Sequence, residues 1–165
     1  MGMIEPMILE FEQEAASTRK MLERVPADAM DWRPHKKSMS MAELASHIAN
    51  IPEWAKATLT QDELIFDMAN YKPNVYESPQ EALEVFERGV KEVIEVMRVT
   101  SDDQLMAMWR MKDRDTLLFE MPRIAVLRGM ILNHAVHHRG QLSVYLRMKD
   151  VPLPAIYGPS ADEGM

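Results

Sequence analysis

From Ile124 to Leu146, apolar residues recur at steps of three and four, and two histidines, His134 and His138, stand within that stripe. Ile124, Leu127, Ile131, His134, His138, Leu142 and Tyr145 or Leu146 share one face of a helix predicted from about Pro122 to Lys149. A face that repeats at helical spacing must be buried against other elements, so this stripe commits the chain to a helical core. Pro152, Pro154 and Pro159 then mark the tail as non-helical.

Three more segments carry the same signal. The first runs from about Glu5 to Val25, with Ile8, Phe11, Ala15, Met21, Leu22 and Val25 on its apolar side and Pro6 early, where a missing N–H costs nothing. The second opens at Ser40-Met41-Ala42-Glu43, a capping box, and presents Met41, Leu44, His47, Ile48, Ile51 and Trp54 inward. Pro52 removes the hydrogen bond to the Ile48 carbonyl and is expected to kink this helix. The third has Ser78 as cap, Pro79 at the first position and Glu81 behind it, then Leu83, Phe86, Val90, Val93, Ile94 and Met97. Thr60-Gln61-Asp62-Glu63 reads as one more capping box for a short helix, and Ser101 to Leu105 as a short turn. Met106 to Glu120 shows no clear period and reads as irregular. With no strand ladder legible, the expected fold class is all-α, a four-helix bundle in a single domain over residues 1–165.

Composition narrows the function. The chain has no cysteine, which excludes disulfides, thiolate ligands and a cysteine nucleophile, and fits a cytoplasmic location. A formal charge of −7 argues against nucleic acid, whose phosphates need a basic face. No apolar run approaches the roughly 18 residues of a membrane span, and no signal peptide is visible. Sixteen methionines suit a gap-filling helical core or, less simply, a plastic pocket.

The histidines carry the chemistry. His134 and His138 are one turn apart and project from the same face, so their ring nitrogens can converge. His47 adds a third inward ring from another helix. Neutral imidazole is the commonest transition-metal ligand, and three protein ligands with a fourth position left over resemble an open site. Spacing alone leaves two readings standing, hydrogen-bonded core histidines and a metal site. A di-iron carboxylate bundle needs Glu-x-x-His motifs, and none of the five histidines has a glutamate three residues before it. His137 points about 100° away from His138, and reads as a packing, interface or supporting residue. His35, in a Pro-flanked loop, reads as structural or exposed, and Arg139 and Arg147 as solvated or paired surface charges. Glu43 is a capping partner before it is a partner of His47, while Asn50, Gln141 and Tyr145 stand where helix geometry can bring them to the pocket. No obvious general base stands beside the trio, so catalytic residues are not assigned.

The run Leu132-Asn133-His134-Ala135-Val136-His137-His138-Arg139-Gly140-Gln141-Leu142, with Tyr145-Leu146-Arg147, resembles the signature of the DinB-like (DNA-damage-inducible, YfiT-related) metalloenzyme family. Trp32-Arg33-Pro34-His35 leading into Ser40 to Ala49, and the tail Val151 to Pro154 with Tyr157-Gly158, agree in the same order. The resemblance implies a four-helix bundle with a long crossover connection, often a homodimer, and one divalent ion held by His47, His134 and His138. It implies nickel or zinc first, with iron or copper also accepted by three imidazoles. It further implies a thiol S-transferase type of activity, joining a low-molecular-weight thiol to an electrophile. Metal-dependent hydrolysis and a non-catalytic metal-binding or stress role are the alternatives.

Overall fold

The computed structural model describes residues 2–164. Helix α1 spans Ile4–Leu22 and is followed by a short 3-10 turn, Ala27–Ala29. Helix α2, Met41–Thr60, begins as its sequence requires: the Ser40 hydroxyl accepts from the Glu43 N–H and the Glu43 carboxylate accepts from the Ser40 N–H. Pro52 lies inside α2, which continues through it to Thr60. Strand β1 is Glu63–Phe66, α3 is Pro79–Met97 with Ser78 accepting from the Glu81 N–H, and α4 is Asp102–Met106. Strands β2, Met108–Asp113, and β3, Thr116–Pro122, lead into a short helix α5, Arg123–Val126. A π-helical turn, Leu127–Leu132, joins α5 to α6, Asn133–Met148.

The expected all-α class is therefore corrected. The fold is mixed, with a three-stranded sheet in the order β1-β2-β3, β1 parallel to β2 and β2 antiparallel to β3. The stretch read as irregular is a hairpin that turns at Asp113 to Thr116, with Arg114 in the left-handed region at φ 51°. β2 fully buries only Trp109 and β3 is mostly exposed, so apolar and polar residues do not alternate in the way that announces a strand.

The short helix expected after Thr60 is β1 instead. Arg123 explains why. Its guanidinium is buried, donates to the Thr58 and Gln61 carbonyls and pairs with the Asp62 carboxylate at 2.8 Å. The polar groups that would open a new helix thus serve to close α2, whose last carbonyls need partners. The same side chain pins the end of α2 to the start of the last helical segment.

The core lies between α1, α2, α3 and the α5–α6 segment, built on Met21, Leu44, Ile48, Val93, Leu127 and Leu142. Two contacts set how close the helices come. A Cβ placed on Gly89 of α3 would lie 3.0 Å from the Pro52 Cβ, so the missing side chain lets α3 seat on α2 at the proline. Arg139, expected on the surface, is only 3% exposed. It pairs with Glu14 of α1 at 2.6 Å, donates to the Thr18 hydroxyl and contacts the Tyr157 hydroxyl, tying α6 to α1 and the tail. Arg147 is the surface charge expected, paired with Asp162.

A candidate metal centre of three histidines

Two elements deliver the rings. His47 sits in the second turn of α2, whose start is fixed by the capping box. His134 and His138 lie at the start of α6, directly after the π-helical turn. There the Asn133 N–H bonds to the Arg128 carbonyl, five residues back, which turns the phase of everything that follows.

The three sequence-expected residues come together. One nitrogen from each of His47, His134 and His138 lies within 4.8 Å of the others, and no carboxylate among the described residues joins the group. Ring centroids are 4.3 Å apart for His47 and His138, 4.4 Å for His134 and His138, and 5.0 Å for His47 and His134. The Nε2 atoms of His47 and His134 are 2.7 Å apart, close enough to share one proton. His138 is 8% exposed, and the other two rings are half-buried.

Electrostatics keep the rings neutral. Burial, then the neighbouring His138 and His134 rings, lowers His47 to about 4. Burial, then His138 and His137, lowers His134 to about 4. Burial also lowers His138, against its hydrogen bond to the Gln141 amide oxygen, which raises it. Gln141 Oε1 lies 2.7 Å from His138 Nδ1. An amide oxygen accepts, so Nδ1 carries the proton and Nε2 keeps its lone pair for a ligand. The donor set therefore fits a divalent transition metal: neutral, nitrogen-only and converging.

Other expectations sort cleanly. Of the pocket-lining candidates only Gln141 touches the trio; Asn50 bonds Ser46 and Tyr76, and Tyr145 donates to the Met39 carbonyl. Glu43 serves the capping box. His137 is exposed beside His138 and outside the group. His35 is exposed, its Nδ1 accepting from the Lys37 N–H. Trp54 was legible as an inward residue but not as a site residue. Its ring stands edge-on at 5.6 Å to both His47 and His134. The signal was its place seven residues after His47, two turns along the same face.

The DinB family profile matches residues 3–164. The chain belongs to the DinB family. The uncharacterized protein YrdA of Bacillus subtilis (strain 168) is 20% identical over 161 residues, covering 97% of this chain and 91% of that protein. The crystal structure of a DinB-like protein, YjoA, from Bacillus subtilis matches with a TM-score of 0.67 at 19% identity, over 91% of this chain and 96% of that one. A DinB-like protein from Bacillus cereus ATCC 10987 matches with a TM-score of 0.68 at 21% identity, over 88% and 92%. At these identities the structural matches establish the fold. Among the described residues no helix is long and apolar enough to cross a membrane.

Proposed function

We propose that this DinB family member holds one divalent transition-metal ion on His47, His134 and His138 and works as a metal-dependent thiol S-transferase in the cytoplasm. The observation that carries the reading is the convergence of three neutral imidazoles from two helices, joined by no carboxylate or further histidine among the described residues. A closed structural site uses four protein ligands, whereas three leave a position for an incoming molecule. Nickel or zinc is the first expectation, and iron or copper suits the same donors. An ion bound there supplies acidity, lowering the pKa of a thiol or water that reaches it.

The rest is the work of side chains. Gln141 fixes the tautomer of His138, and Trp54 stands edge-on against two of the rings. Without a cysteine of its own, the chain takes its thiol as a low-molecular-weight co-substrate, to be joined to an electrophile. A homodimer is proposed on family grounds.

The test is to supply zinc- or nickel-loaded protein with a small thiol, N-acetylcysteine, and an activated alkene, following loss of free thiol, and in parallel with an activated ester alone, following its hydrolysis. Metal-dependent acceleration that disappears in His47→Ala is expected. Acceleration of ester hydrolysis alone would replace the transferase by a hydrolase. No acceleration of either reaction by metal-loaded protein would leave a non-catalytic metal-binding protein.

A further inference from the structure

Beside the histidines lies a cavity of about 280 Å³ that nothing in the proposed metal chemistry uses. Trp54, Phe66, Tyr71, Met111, Leu118 and Met130 line most of it, and no charged side chain does. These residues come from α2, β1, the loop after β1, β2, β3 and the π-helical turn. The sheet that the sequence conceals supplies Phe66, Met111 and Leu118 to its lining.

Its place and its chemistry are both specific. Trp54 is shared with the metal centre, being the ring that stands 5.6 Å from His47 and from His134. Met130 lies four residues, one turn, before His134. The aromatic walls meet nearly at right angles: Trp54 and Phe66 at 6.2 Å and 76°, Phe66 and Tyr71 at 5.5 Å and 88°. Rings set this way offer both faces and edges, so a further ring inserted among them finds stacked and edge-on partners together. Thioethers from Met111 and Met130 add polarisable contacts to the edges of such a ring. A carboxylate would lose hydration there and gain no partner. A cavity of ~150 Å³ takes up one benzene, so this space suits a bicyclic aromatic or a ring with short substituents.

We infer that this cavity is the site for the apolar body of the second substrate, a neutral aromatic molecule whose reactive end faces the three histidines. The inference rests on the proposed metal function only in calling the occupant a substrate; the cavity's selectivity follows from its own walls. Exposed apolar surface of this kind can instead be covered by another protein molecule, so the test separates the two.

The experiment uses full-length protein labelled with ¹³C at the methionine methyls and titrated with 2-naphthol, with zinc added and without. Saturable shifts centred on the methyls of Met111, Met130 and Met68, the third methionine of the lining, are expected. Affinity is expected to fall at least tenfold in Leu118→Asp and in Tyr71→Ala, both surface-reaching side chains whose loss spares the core. 2-Naphthoate, the same ring system with a carboxylate, is expected to bind at least tenfold more weakly. Wild type stripped of metal by a chelator is expected to bind 2-naphthol as the zinc-loaded protein does, so the two readings fail separately. No ion taken up by wild type while naphthol still binds contradicts the metal site alone; an ion taken up by wild type with no naphthol bound contradicts this inference alone. Shifts spread over methionines throughout the chain, or none, would overturn it. So would the same shifts appearing with protein concentration and no probe, since a second copy would then fill the cavity.

Discussion

A histidine that stays neutral in the fold is a proton the folded chain refuses. His47 and His134 titrate near 4 in the protein against an ordinary value of 6.5, chiefly because burial penalises the charged ring. Between those two values the unfolded chain binds protons that the folded chain does not. Stability is therefore level above pH 7 and is lost as pH falls from about 6.5 towards 4. Metal-free protein should show a urea midpoint that is flat from pH 7 to 8 and declines below 6.5. In His47→Gln the decline between pH 6.5 and 5 should be shallower, because one refused proton is gone; equal slopes would remove this account of the rings. The same neutrality leaves His138 with its Nδ1 proton on Gln141 and its Nε2 lone pair free. One amide thus decides which nitrogen can serve a ligand.

At the scale of elements, the seating of α3 on α2 depends on a residue with no side chain. Gly89 faces Pro52, and an added Cβ would sit 3.0 Å from the proline Cβ. Alanine there gains about 0.5–1 kcal/mol in helix preference but meets an overpacking cost of about 1–3 kcal/mol. The second effect should win. Urea unfolding of Gly89→Ala is expected to show a net loss of about 1 kcal/mol, and a gain would mean that α2 and α3 separate freely. The long helices and their caps were legible because amphipathic period and capping chemistry are both local. The trio of histidines was legible for the same reason, each lying on a predicted inward stripe. The sheet was hidden because its buried residues are few: Trp109 alone is fully enclosed on β2, and β3 shows Leu117 and Leu118 to solvent. Arg139 was misplaced because a charged residue on a helix is exposed by default, and its partners Glu14, Thr18 and Tyr157, all distant in sequence, make its burial tolerable.

For the whole molecule, the histidines link α2 with α6 across more than half of the sequence, and they do so beside the pocket that the sheet helps to line. A ligand that binds this arrangement and not the unfolded chain stabilises it, by about 2.7 kcal/mol at one hundred times its dissociation constant. The central claim is that the three rings hold one ion. Its most direct test is elemental analysis of metal content, on protein made without a polyhistidine tag, for wild type, His138→Ala and His137→Ala, with circular dichroism alongside. Close to one ion per chain is expected in wild type and in His137→Ala, and loss of the ion with helical content retained in His138→Ala. Full occupancy in His138→Ala, or none in wild type after nickel or zinc is supplied, would contradict it.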